Sequence, residues 1–286
     1  RDVLDKLAAR HYEAAVIFNV YSQSPFPAMQ MAYLANIPIR IAYSRENPYH
    51  LLTIWVPETE PSDTVRHEVR RQLDLVAAMD CYTKDDHIRV RTTPEDDAVI
   101  QAELSSLGLQ PFDPYIVIHP GASASSRRYA PEKYAQVAHE LVRLGKGPVI
   151  FTGSSDEVEL IEAIRSACPE ETYSLAGRLD LGQLASLYKN ATLLISNNTG
   201  PVHLAAGVGT PVVDLYALTN PQHTPWGVPN RVLFHDVPCK FCYKSVCPLG
   251  HQNCLSLVRP EEVIAATLDL LQEISLQKAG QIEVSL

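Results

Sequence analysis

Short apolar runs recur along the chain, most of them separated by stretches of helical periodicity. The runs are AAVIFNV (14–20), YIVIHP (115–120), GPVIFTG (147–153), ATLLISN (191–197), PVVDLYA (211–217) and RVLFHD (231–236). Near-continuous rather than alternating hydrophobicity predicts buried strands. Between them, PEKYAQVAHELVRLG (131–145) sets Tyr134, Val137, Ala138, Leu141 and Leu144 on one helical face. Pro131 suits its first turn and Gly145 its C-terminal cap. SSDEVELIEAIRSAC (154–168) repeats the pattern behind a Ser and acidic opening, and LGQLASLYKN (181–190) is a shorter version.

Strands that alternate with helices predict βαβ units and a parallel sheet. Residues 111–286 read as one doubly wound α/β domain, and residues 1–90 as a similar but less regular one. The segment 91–114, with prolines at both ends and a short helix between, reads as the linker, so the first domain is taken as 1–110. In open sheets of this kind ligands bind beyond the carboxyl ends of the strands.

Composition narrows the class. The chain has 286 residues, 46% hydrophobic and 20% charged, which is a globular protein with enough apolar material for two cores. It has no apolar run long enough for a membrane-spanning helix, and its start lacks the pattern of a signal peptide. The formal charge of −9 opposes general nucleic-acid binding, so any phosphate site must be local.

Three loops follow predicted strands. SNNTG (196–200) precedes the helical run PVHLAAGVG, so its polar residues sit at a strand end and a helix start together. Backbone N–H groups and the helix dipole favour an anion there, with Gly200 allowing close approach and Thr199 adding a hydroxyl. The alternative is that Asn198 or Thr199 simply caps the helix. GASASSRRYA (121–130) offers Ser hydroxyls and the guanidinium groups of Arg127 and Arg128 to a diphosphate, or else is a solvated loop. FTGSSDE (151–157) brings an acidic side chain to a strand end, where it would hold a ribose diol or close a capping box. The chain contains no Asp-x-Asp, so a departing diphosphate would be neutralised by protein cations and helix dipoles rather than by a metal.

Cys239, Cys242, Cys247 and Cys254 fall within sixteen residues, with His251 among them. Two readings stand: a structural zinc site, or a group of packed thiols.

Taken together, VIHPGASASSRRYAPEKYAQVAHEL, FTGSSDE, LAGRLDLGQLASLYKNATLLISNNTGPVHLAAGVGTPVVDLYALTNP and VPCKFCYKSVCPLGHQNCL resemble glycosyltransferase family 9, the ADP-heptose:lipopolysaccharide heptosyltransferases. The resemblance is dense over about 115–265 and weaker over 8–45, in HYEAAVIFN and IPIRIAYS. It implies a GT-B architecture of two Rossmann-like domains facing a cleft, acceptor side first and nucleotide-sugar side second. It implies inverting, metal-independent transfer from an ADP-linked sugar to a glycan or glycolipid, with no cofactor. By motif, Gly121, Ala122 and Ser123 would lie by the phosphates, and Arg127 would stand in for the family's usual Lys. Glu157 would hold the ribose, and the backbone near Leu179 would meet the adenine. Asn198, Thr199, Gly200 and His203 would line the diphosphate and sugar, with His203 and Arg127 supporting the leaving group. The family carries the cysteine pattern without an essential metal in its mechanism.

The chain departs from the family at two places. Asn198 stands where the family often has Asp. The family's base, an Asp in a Gly-Asp loop after the first strand, has no match in residues 1–20, and Asp2 and Asp5 are not assigned that role. The expectation is an N-terminal domain lacking its first part, with a sheet edge open to self-association. The leading expectation is a cytoplasmic glycosyltransferase, peripheral to the inner membrane where its acceptor is a lipid. Two rivals are a nucleotide-sugar-binding chain without turnover and another GT-B enzyme such as a nucleotide-sugar epimerase.

Overall fold

The computed structural model describes residues 2–110 and 113–284. The elements in chain order are α1 (Asp2–Ala9), β1 (Ala14–Ile17), α2 (Phe26–Leu34), β2 (Ile39–Ser44), β3 (Ile54–Pro57), α3 (Glu68–Ala77) and α4 (Pro94–Ser106). They continue with β4 (Ile116–His119), α5 (Pro131–Arg143), β5 (Val149–Phe151), α6 (Val158–Ser166), β6 (Tyr173–Ser174), α7 (Leu181–Asn190) and β7 (Leu193–Asn197). The last are α8 (Gly200–Gly207), β8 (Val212–Leu215), β9 (Asn230–Leu233), α9 (Asn253–Ser256) and α10 (Pro260–Val284). Among the described residues no helix is long and apolar enough to cross a membrane.

The chain forms two compact units, Arg1–Asp86 and His87–Leu286. The boundary read from sequence at 110/111 abuts Pro111 and Phe112, which lie outside the described residues, and the structural division falls earlier. The reason is α4. Its Ile100 and Leu104 are buried with Leu187 of α7, and Asp97 accepts a 2.6 Å hydrogen bond from Ser186. The segment taken as a linker is therefore part of the second core.

In the first unit, β1, β2 and β3 pair in parallel in that order. Strand β2 shows the alternation of a sheet covered on both faces. Ile41 and Tyr43 pack with Leu75 of α3, while Ala42 packs with Met29 of α2. Among the described residues β1 is bonded to a neighbour on one side only. A charged network sits inside this unit. The fully buried Arg71 pairs with Glu58, and Arg66 bonds Glu60 at 2.5 Å and Asp74 at 2.8 Å. The Tyr43 ring lies 4.3 Å from the Arg71 guanidinium carbon. Buried ions persist when paired and hydrogen-bonded in this way.

The second unit carries a six-stranded, wholly parallel sheet in the order β6-β5-β4-β7-β8-β9. Helices α5, α6 and α10 cover one face, meeting Ile116, Ile118, Phe151, Ile195 and Val213. Helices α4, α7 and α8 cover the other, meeting Val117, Ile150, Leu194 and Val212. Burial on both faces is why these strands read as unbroken apolar runs. Pro131 opens α5, and Gly145 follows it with φ +63°, the left-handed conformation that suits glycine after a helix. The strand order reverses between β4 and β7, the switch point where this topology opens a crevice beyond the strand ends.

Candidate functional site

The loops after β4 and β7 meet at the switch point, held by buried asparagines. Asn197, the last residue of β7, donates to the Pro120 carbonyl at 2.6 Å and accepts from the Tyr129 N–H at 3.0 Å. One amide thereby clamps both ends of the 120–129 loop. The next residue, Asn198, is also buried. Its amide donates to Asp214 Oδ2 at 3.2 Å and to the His223 carbonyl at 2.9 Å. Both asparagine side chains thus face inward, which the sequence pattern alone did not reveal.

Asp214 on β8 lies beside Ser196 in the parallel register and is fully buried, with Oδ1 unpartnered. Burial pushes its carboxyl up to about 8, against the opposing hydrogen bond from Asn198. It is therefore mainly protonated at neutral pH.

Glu157 lies where the loops after β4 and β5 approach. Ser154 and Glu157 form a reciprocal capping box, with the Ser154 N–H donating to Glu157 Oε2 at 2.8 Å. The same carboxylate lies against Gly121, where an added Cβ would come within 2.0 Å of Oε1. Capping and a place in the site are thus not exclusive readings of this residue. His119, at the end of β4, lies 3.9 Å from Glu157 Oε2 through Nε2 and 3.1 Å from the Thr152 hydroxyl through Nδ1. Burial pushes its imidazole down to about 4, against the attraction of Glu157, so it is neutral at pH 7. The 176–179 turn joins this edge through the Gly177 N–H, which donates to the Gly153 carbonyl at 2.9 Å. Leu179 is half-buried there, packed against the core beneath α7.

Ala122 is buried and Ser123 exposed. Arg128 Nε donates to the Ala122 carbonyl at 2.8 Å, so it braces the loop. Arg127 is half-buried, and its Nε has no hydrogen-bond partner among the described residues. At the start of α8, Thr199 is the cap position but makes no side-chain cap bond. A Cβ on Gly200 would meet nothing within 4 Å, so the backbone there faces open space. The His203 ring centroid lies 6.3 Å from that of His223. A cavity of about 460 Å³, lined in part by Arg128, Tyr134 and Leu160, shares Pro120 and Glu157 with this edge.

The cysteine segment is stapled to the 120–129 loop. Ser126 Oγ donates to the Lys244 carbonyl at 2.8 Å, and its N–H to the Ser245 carbonyl at 3.1 Å. Cys239, Cys242, Cys247 and Cys254 carry free, half-buried thiols around a cavity of about 30 Å³. Cys239 Sγ lies 3.9 Å from His251 Nε2. Among the described residues no group of three or more His, Cys, Asp or Glu side chains is arranged to hold a metal ion.

Lipooligosaccharide heptosyltransferase 2 of Haemophilus influenzae is 28% identical over 236 residues, 78% of this chain and 65% of that protein. Lipopolysaccharide heptosyltransferase 3 of Escherichia coli K12 is 31% identical over 182 residues, 61% of this chain and 51% of that protein. The matches thus span about half to two thirds of these relatives' own lengths. Among solved structures, the glycosyl transferase family 9 protein from Veillonella parvula superposes with TM-score 0.78 at 23% identity, covering 95% of this chain and 77% of that one. E. coli ADP-heptose lps heptosyltransferase II gives TM-score 0.72 at 22% identity, covering 96% and 81%. These structural likenesses establish the fold, mixed α/β with parallel sheets, of the GT-B type. The model of glycosyltransferase family 9 (heptosyltransferase) matches residues 5–253, and the chain belongs to that family.

Proposed function

We propose that the protein is an inverting, metal-independent glycosyltransferase. It moves a sugar, a heptose by analogy with its relatives, from an ADP-linked donor to a lipopolysaccharide-type or other glycan acceptor at the cytoplasmic side of the membrane. The carrying observation is the switch-point edge. There an arginine Nε without a protein partner, an uncapped Thr199 hydroxyl and open space over Gly200 lie on loops clamped from behind by Asn197.

In this reading the diphosphate lies along Gly121, Ala122, Ser123 and the start of α8, with Arg127 supplying the charge-assisted bond. Glu157 receives the ribose hydroxyls, and the backbone near Leu179 meets the adenine. The acceptor hydroxyl loses its proton to a base and attacks the anomeric carbon, while the bond from that carbon to the diphosphate oxygen breaks. Arg127, His203 and the N–H groups of α8 stabilise the departing charge. Asn198 contributes by fixing the loop, through Asp214 and the His223 carbonyl, rather than by offering its amide.

Calorimetric titration with ADP in the presence of EDTA tests the donor half of this reading, and transfer from ADP-heptose to a lipopolysaccharide core acceptor tests the rest. ADP binding that appears only with added Mg²⁺ would overturn the metal-free reading.

A further inference from the structure

We infer that His119 is a positioning residue for the ribose end of the donor. It carries its ring proton on Nε2, facing the Glu157 carboxylate, and so sets that carboxylate for the ribose hydroxyls. The inference rests on the reading of Glu157 as the ribose contact of a sugar transferase. His119 closes β4 and is 7% exposed. Beside it are two buried hydroxyls, that of Thr152 just after β5 and that of Tyr188 on α7.

Counting protons assigns the tautomer. His119 Nδ1 lies 3.1 Å from Thr152 Oγ1 and 3.5 Å from Tyr188 Oη, and the two oxygens are 3.3 Å apart. Among the described residues neither hydroxyl makes any other hydrogen bond. With Nδ1 unprotonated, the Tyr188 hydroxyl donates to Thr152 and the Thr152 hydroxyl donates to Nδ1, so both protons are used. With Nδ1 protonated, the triangle would hold three protons and only two acceptor oxygens. One buried hydroxyl proton would then be orphaned, which is costly.

Nε2 therefore carries the N–H, and it faces Glu157 Oε2 at 3.9 Å. That is beyond hydrogen-bond length, so the contact sets a ring dipole against an anion. The other tautomer would turn a lone pair toward the same oxygen. Burial keeps the ring neutral at pH 7, so the carboxylate meets an oriented dipole and not a cation that would cancel its charge. Oε2 also accepts the Ser154 N–H at 2.8 Å, whereas Oε1 lies against Gly121 and accepts no hydrogen bond among the described residues. The carboxylate is thus held through one oxygen and keeps the other for a ligand hydroxyl.

The test is long-range proton–nitrogen NMR of the histidine rings in the full chain at pH 7, with His119→Gln identifying the His119 signals. Nε2 is expected to be protonated and Nδ1 not; a protonated Nδ1 would overturn the inference. At saturation ADP should shift the His119 Nε2 signal more than 2′-deoxy-ADP does, and equal shifts would refute the positioning role without any appeal to variants. Calorimetry supplies the affinities. The wild-type protein should favour ADP over 2′-deoxy-ADP, and His119→Phe should reduce that preference about three- to tenfold, the scale of one neutral donor. His119→Gln, whose amide offers an N–H in place of Nε2, should keep more of the preference than His119→Phe. Thermal unfolding checks that both variants fold. An unchanged preference in folded His119→Phe refutes the part of His119 alone. Wild-type protein that binds ADP and 2′-deoxy-ADP alike, or neither, refutes the ribose reading and the positioning role with it.

Discussion

Adding one methyl group at Gly121 should act on the protein through Glu157. The Cβ of alanine would lie 2.0 Å from Oε1, 2.2 Å from Cδ and 2.4 Å from Oε2 of that carboxylate, so the two groups cannot coexist. The φ of Gly121 is not in the left-handed region, so backbone strain adds nothing. The carboxylate is the far end of a flexible side chain and will swing away, surrendering the 2.8 Å bond from the Ser154 N–H and half of the capping box. Losing a cap costs about 0.5–2 kcal/mol. For a unit of this size about 1 kcal/mol lowers the unfolding midpoint by roughly 2–4 °C. Glu157→Ala loses the same bond directly and vacates the space. In that background Gly121→Ala should be nearly neutral, giving a coupling of about 1 kcal/mol between the sites. The assay is thermal unfolding of the four proteins of the cycle, with ADP affinity measured alongside and amide exchange at Ser154 reporting the cap. Both single variants should weaken ADP, and the double variant no more than the worse single one. Additive losses would refute the reasoning, because they would mean that the residue at 121 acts on something other than Glu157.

Arg127→Ala should weaken ADP by about 1.5–3 kcal/mol while leaving adenosine nearly unchanged, by calorimetry; equal losses would mean that Arg127 serves the fold. Asn197→Ala leaves the Pro120 carbonyl and the Tyr129 N–H without their partner, so it should destabilise by about 1–3 kcal/mol per unpaired group in urea unfolding. Asp214→Asn should flatten a pH dependence. With the folded carboxyl at about 8 and the unfolded one near 4, the folded state alone holds the proton in that window. Wild-type stability should therefore fall by up to about 1.4 kcal/mol per unit as pH rises from about 4 to about 8, and the variant should lack that slope. Matching slopes in the two proteins would show that Asp214 does not carry it. The purified protein is expected to hold no stoichiometric zinc; one zinc per chain, lost in Cys242→Ser, would reverse that.

The second unit was legible because its central strands are buried on both faces and its helices α5, α6 and α7 are amphipathic. The predicted helix 181–190 coincides with α7, and all four central and right-hand strands of the sheet lie within or overlap predicted runs. Strands β2, β3 and β6 escaped the pattern. IRIAYS is interrupted by Arg40, IWVP is a four-residue strand with no fully buried position, and β6 is only two residues long. Strand β1 ends at Ile17, three residues short of its apolar run, and Asn19 then turns to bond the Gln23 carbonyl. The loops of the candidate site were found by their place after strands. Side-chain direction was not, because a polar doublet such as Asn197-Asn198 reads the same whether it faces a ligand or the interior. Buried amides paired to loop carbonyls are a tertiary fact, set by which strands become neighbours.

That inward turn has an electrostatic consequence. A diphosphate at the switch point would sit in front of two ionisable groups, His119 behind the first loop and Asp214 behind the second. Burial holds both neutral at pH 7, the imidazole pushed down and the carboxyl pushed up. An ionised Asp214 would oppose the anion through a low-dielectric wall, where repulsion is far stronger than in water. Keeping that carboxyl protonated leaves the Arg127 charge and the α8 N-terminus to act on the ligand uncompensated from behind. Nucleotide affinity should then decline as pH rises through about 8, in step with ionisation of Asp214. Asp214→Asn should remove that decline while Arg127→Ala lowers affinity at every pH. An affinity independent of pH from 6 to 9 in the wild-type protein would separate Asp214 from the site.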